Sequence, residues 1–320
     1  MEIGKGMMKV FAITCALLLA AVCPTLCISA PAVGTETVIP GVPLLPDLQF
    51  SQIPAAKHSN YEGDRFSYMA AGRKDAPAVL LLHGVGANSM HWRFQYPALA
   101  ERYRVVAWNA PGYLLSDCLK ADVPTCENYA DAVNDFLTSL GIDKVYLIGN
   151  SFGSLTGQCF AARYPQKVIK AVFTGTIIGE GRRPEEQKKA IVEGRKKQIE
   201  AGGYAFGSGR VSALVGKNTS EEKLTLMRSV LRATNQRGFM QAINFVINTD
   251  SLPLASKLIM PILLIQGAED QVATPKENSY VLKPLLPNAK LQELSGVGHL
   301  PEFEVPDVFN KTVLDFFAPR

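Results

Sequence analysis

The chain has 320 residues, 47% hydrophobic and 19% charged, with a formal net charge of +4. That length holds one large domain or two small ones with ample core, and the composition excludes a disordered chain. So small a net charge, nowhere concentrated into a run of one sign, argues against a nucleic-acid partner.

In chain order, the N-terminus is read first. Lys5 and Lys9 precede "VFAITCALLLAAVC", an uncharged apolar run short of a comfortable bilayer span. Small residues follow, and Ala30-Pro31-Ala32 has the small-x-small form of a cleavage site. Residues 1–32 are therefore predicted to be a secretory signal peptide, with the protein periplasmic or secreted. An uncleaved anchor and lipid attachment at Cys23 stay open as alternatives, so membrane contact is expected only through this segment. Residues 33–56, rich in proline and low in charge, read as an extended tether.

From Tyr61 onward strands and helices alternate. "RFSYMAAG", "AVLLLHG", "YRVVAWNAPG", "KVYLIG", "KAVFTG", "PILLIQG" and "AKLQELSG" read as strands. Helical patterns fall at 92–102, 127–140, 154–164, 279–286 and 306–317. This alternation predicts an α/β fold, a parallel sheet covered on both faces, with functional loops at the carboxyl ends of its strands. Residues 57–178 and 253–320 are expected to form that core. Residues 179–252 lack a core strand and carry helical patterns only, so they are expected to form an inserted helical lid. The run containing Lys188, Lys189, Arg195, Lys196 and Lys197 is interleaved with glutamates and reads as a solvated helix face, not an anion site.

Three of the six cysteines lie in the leader; the others are Cys118, Cys126 and Cys159. Their spacing fits no zinc pattern, and no metal ligand set is expected. In an oxidising compartment Cys118 and Cys126 are expected to pair, leaving Cys159 as a buried apolar residue.

The chemistry is carried by "KVYLIGNSFGSLTGQCF". A buried strand turns directly into a helix at Ser151, with Gly149 and Gly153 two residues to either side, the arrangement that presents a serine hydroxyl on a sharp turn. A serine needs a general base, and the base an orienting acid. Of four histidines, His299 sits in "SGVGHLPEFEVP" after a strand, and Asp270 sits in "LLIQGAEDQVATP" after another. Both should reach the sheet edge that holds Ser151. Glu269 is the alternative acid. The backbone amides of Val85, in "LLLHGVGAN", and of Phe152 are the expected oxyanion donors. His83 is assigned a structural role in the glycine loop, His91 and Trp92 are read as packing residues, and His58 carries no signal. Candidate substrate-lining residues are Trp92, Tyr113, Phe239 and Phe245.

From about residue 60 onward the chain resembles the α/β-hydrolase superfamily. The resemblance rests on "HGVGAN", "GNSFGS", "GAEDQVATP" and "GVGHLPEFEVP", four motifs in family order. "YRVVAWNAPGYLLSD" and the lid resemble the branch of esterases, enol-lactonase-like enzymes and C–C bond hydrolases. The resemblance implies a serine hydrolase acting on a small-molecule ester or lactone, with no cofactor. The family usually has aspartate where Asn109 stands and glycine near Leu114 or Leu115. Serine at the elbow argues against the relatives that use an aspartate nucleophile. A C–C hydrolase with the same triad and a ligand-binding module on the same fold stay open.

Overall fold

Val79 and Leu81 point to one face of a strand and Leu80 and Leu82 to the other, and all four are fully buried. A strand without polar alternation has to be covered twice. The computed structural model describes residues 41–319, and in it this strand, β3 (Ala78–Leu82), lies inside an eight-stranded sheet. The others are β1 (Leu48–Gln52), β2 (Arg65–Ala71), β4 (Arg104–Trp108), β5 (Val145–Asn150), β6 (Val168–Thr174), β7 (Ile262–Gly267) and β8 (Ala289–Leu294). Their order across the sheet is β1-β2-β4-β3-β5-β6-β7-β8. The first two pairings are antiparallel and the rest parallel.

Helices cover both faces. On one, α2 (Cys126–Ser139) and α3 (Phe152–Arg163) bury Tyr129, Phe136, Leu155 and Phe160 against Leu80, Leu82 and Leu147. On the other, α1 (Gln95–Ala100) and α10 (Pro306–Phe317) bury Tyr96, Leu99, Phe309 and Phe317 against Val79, Leu81 and Ile148. Between β6 and β7 come α4 (Glu185–Glu200), α5 (Gly203–Leu214), α6 (Glu221–Arg232) and α7 (Gln236–Asn248). They gather around Phe206, Leu214, Met227, Leu231 and Phe239 in a cluster that includes Leu300 and Phe303 of the core. Short helices α8 (Ser279–Leu282) and α9 (Pro301–Glu304) complete the chain. Among the described residues no helix is long and apolar enough to cross a membrane.

Two expectations are corrected. The 33–56 tether is not all tether: Leu48–Gln52 pairs antiparallel with β2 as the sheet's edge strand. An edge strand bonds on one side only, so the prolines at 43, 46 and 54 around it break no ladder. The signal peptide, its cleavage site, Cys23 and residues 33–40 lie outside the described residues.

The disulfide joins Cys126 to Cys159, not Cys118 to Cys126. Cys126 opens α2 and Cys159 lies on α3, and the two helices pack side by side, with Cα atoms 5.4 Å apart. Cys118 is a free, half-buried thiol. Closing a loop of 33 residues contributes about 3–4 kcal/mol in the chain-entropy picture. Alkylation of the unreduced, folded protein should therefore label Cys118, with Cys126 and Cys159 labelled only after reduction. Reduction should lower the melting temperature by roughly 5–15 °C. Labelling of Cys159 before reduction would reject the pairing.

Candidate active site

The turn at Ser151 exists because two side chains are missing. A Cβ on Gly153 would lie 2.0 Å from the Leu82 carbonyl oxygen, and one on Gly149 would lie 2.4 Å from the Gly153 oxygen. With both absent, α3 starts directly off β5 and lies against β3. Ser151 is left at φ 53° and ψ −118°, a conformation costing a non-glycine residue roughly 1–3 kcal/mol. Its amide donates to the Thr174 carbonyl on β6 (3.0 Å), and its carbonyl accepts from Ser154 and Leu155. The side chain is left to face the cavity above the sheet.

β5, β7 and β8 are parallel, so the loops that follow them meet at one edge. His299 Nδ1 lies 2.8 Å from Asp270 Oδ2. Asp270 is buried, and its carboxylate also accepts from the amides of Val272 and Ala273 (both 2.8 Å) and from Gln266 Nε2 (2.9 Å). Burial opposes the charge, but the His299 ring and these donors outweigh it and hold the carboxyl below its ordinary value. An ionised Asp270 fixes the tautomer with Nδ1 protonated and Nε2 free to accept a proton. Glu269 is exposed and donates only its amide, to Val297. Ser151 and His299 line the same cavity. Among the described residues no hydrogen bond joins the Ser151 hydroxyl to the ring.

Residues not singled out from the sequence hold His299 in place. Asn150 Nδ2 donates to the His299 carbonyl (3.1 Å), and the His299 amide donates to Leu214 at the end of α5 (2.9 Å). The Glu304 carboxylate accepts from the amides of Gly298 and Leu300 beside His299, and from Gly216 in the link after α5 (2.7 Å). Only Glu304 left a sequence cue, an acid five residues past the base.

The loop after β3 supplies the expected oxyanion donors. Neither the Val85 nor the Phe152 amide has an acceptor among the described residues. His83 is buried beneath them: Nδ1 lies 2.9 Å from the Gly84 carbonyl, and Nε2 accepts from the Ala110 amide (3.1 Å). Burial pushes its pKa down to about 3, so it is neutral and structural. The departure at Asn109 also has a reason. Its Oδ1 accepts from Ser89 and its Nδ2 donates to Ser67, a pair of roles that an ionised aspartate cannot fill. Leu114 sits at φ 46°, the left-handed region where glycine is at ease.

The cavity around Ser151 is small, about 20 Å³, room for roughly one water. Its walls include Gly84, Val85 and His299 below and Arg210, Leu214, Met227 and Leu231 from α5 and α6 above. None of the four expected lining aromatics is there. Trp92 packs with Tyr96 and Leu99 against the sheet. Tyr113 lies under the glycine loop, its hydroxyl 3.4 Å from the Gly86 amide. Phe245 packs at a tilt against Tyr129 and edge-to-face against Phe152, and Phe239 edge-to-face against Phe206. Trp92, Phe239 and Phe245 sit in helix–sheet or helix–helix contacts, where large apolar area is best buried. His91, read as packing, lines the cavity and bonds Glu302 through Nε2 (2.7 Å). Arg195 leaves its expected solvated face and, with Arg210, lines an outer cavity of about 550 Å³. The sequence had no signal for Arg210.

Residues 77–306 match the family model described as alpha/beta hydrolase fold. The chain is 30% identical, over 75% of its length and 86% of the relative's, to a 2-hydroxy-6-oxononadienedioate/2-hydroxy-6-oxononatrienedioate hydrolase of Dechloromonas aromatica. The enol-lactonase from Burkholderia xenovorans LB400 superposes with a TM-score of 0.70 at 25% identity, covering 80% of this chain and 97% of that one. A thermophilic esterase from Thermogutta terrifontis superposes with a TM-score of 0.72 at 21% identity, covering 84% and 97%. With the sheet order, the helices inserted after β6 and a family match over most of its length, the chain belongs to the alpha/beta hydrolases.

Proposed function

We propose that the protein is an exported serine hydrolase that cleaves a carboxylic ester or lactone through an acyl-enzyme on Ser151. The observation that carries this is a serine held at φ 53° in one cavity with a histidine whose Nδ1 is 2.8 Å from a buried carboxylate. His299 Nε2 takes the hydroxyl proton as Oγ attacks the carbonyl. The amides of Val85 and Phe152 receive the oxyanion, and the imidazolium, balanced by Asp270, returns its proton to the leaving alcohol. Water, activated by the same imidazole, then attacks the acyl-enzyme, releasing the acid and freeing Ser151. Export is supported by the leader composition and by the Cys126–Cys159 disulfide, a bond that persists in oxidising compartments. Membrane contact is limited in this reading to the N-terminal segment, and no cofactor takes part.

A second reading, a C–C bond hydrolase, is favoured by the curated relatives, several of which are named as hydrolases of 2-hydroxy-6-oxo dienoates. The two differ at the leaving group: carbon has to be protonated before the bond breaks, whereas an aryloxide leaves unaided.

Ser151→Ala, His299→Ala and Asp270→Asn should each lower turnover roughly a thousandfold or more, with double changes adding little because the three act as a unit. Glu269→Gln should stay within about twofold of the native protein. An Asp270→Asn protein that kept its activity, beside an inactive Glu269→Gln protein, would reassign the acid.

Rapid mixing with an aryl ester should give a burst of phenolate equal to the enzyme concentration, then a slower steady rate. If esters and lactones of graded size fail while a vinylogous diketone is cleaved, the C–C reading replaces the ester reading. If neither class turns over and a small ligand still raises the melting temperature, the site binds without catalysis.

A further inference from the structure

Arg210 on α5 carries a charge that the protein does not balance. Its Nε is sealed from solvent without an acceptor, and it forms no hydrogen bond or ion pair among the described residues. Burial and then the neighbouring Arg195 push its pKa down, while the phenol of Tyr113 alone acts the other way and no carboxylate contributes. A guanidinium stays protonated at neutral pH all the same. Leaving such a group desolvated and unpaired is costly, and proteins keep that arrangement where a ligand completes it.

Its position says which ligand. Arg210 lines both the small cavity that holds Ser151 and His299 and the outer cavity of about 550 Å³. Arg195, Gln198 and Gln271 line the outer cavity too, beside the apolar Phe206 and Val272, and no aspartate or glutamate lines either space. Arg195 spends one bond on Gln198 (Nη1 to Oε1, 3.0 Å), which leaves the rest of its fork free.

We infer that the outer cavity is a carboxylate subsite, and that the natural substrate carries a free carboxylate which Arg210 and Arg195 bind while its scissile carbonyl, a few atoms away, reaches Ser151. Planar guanidinium forks match a carboxylate edge to edge, and with no acid nearby the pair attracts anions and rejects cations. The apolar lining accepts the short hydrocarbon spacer between the two ends. This rests on Ser151 as the nucleophile, so the test includes a measurement that needs no turnover.

Two aryl esters matched in length separate the terms: the mono-p-nitrophenyl ester of glutarate, with a free carboxylate, and neutral p-nitrophenyl pentanoate. The native protein should favour the anionic ester in kcat/KM by roughly tenfold to a hundredfold, and added salt should reduce the ratio. Arg210→Met should bring the ratio near one, Arg210→Lys should fall between, and Arg195→Gln should lower it in part. In the Ser151→Ala protein, glutarate should raise the melting temperature, and adding Arg210→Met should abolish that rise. Arg210→Met alone should melt no lower than the native protein, since no acid loses a partner. A native ratio near one, a ratio unmoved by Arg210→Met, or no glutarate shift overturns the subsite. Should neither ester show Ser151-dependent turnover, the ester-hydrolase reading fails, and the glutarate shift still decides the subsite.

Discussion

The fold turns on a contact that only glycine permits, the approach of α3 to β3 at Gly153, where a Cβ would fall 2.0 Å from the Leu82 carbonyl. This approach lets a buried strand pass into a buried helix without a loop between them. It strains Ser151 into left-handed φ and holds it in place through the Thr174, Ser154 and Leu155 bonds. Strain of this kind survives only where the surroundings over-determine it. Here α3 is buried from Phe152 to Ala161 and tied to α2 by the disulfide, so the turn cannot relax without disturbing the core.

The electrostatics follow from the same edge of the sheet. Parallel neighbours release their loops on one side, bringing an ionised, four-donor Asp270 to His299 and leaving two amides without acceptors near Ser151. His83, forced neutral by burial, holds the glycine loop without competing as a base. Asn109 does similar work just past the end of β4, using an amide where both a donor and an acceptor are needed.

Much of this could be read from the sequence. Strands buried on both faces leave unbroken apolar runs, and residues that follow a strand and carry a histidine, an acid or a glycine pair announce the edge where they meet. What escaped reading depends on three-dimensional neighbourhood. The edge strand β1 is defined by its pairing with β2 rather than by its own pattern. Cys126 lies nearer in sequence to Cys118 but shares a helix pair with Cys159. Phe239 and Phe245 look like a pocket wall on an apolar stretch of the insertion, yet that apolarity serves α7's own packing. Arg210 is one charge among 33 basic residues until the structure shows that no acid accompanies it.

Glu304 joins two parts that a hydrolase has reason to keep in step. One carboxylate holds the amides beside His299 and the Gly216 amide of the inserted helices, and its carbonyl accepts from Lys223 on α6 (2.7 Å). Leu214 holds the His299 amide directly. Any displacement of α5 and α6 would break the Gly216, Lys223 and Leu214 bonds and so reach the loop that carries His299. The position of His299 is thereby tied to the position of the inserted helices, as a clutch plate ties two shafts.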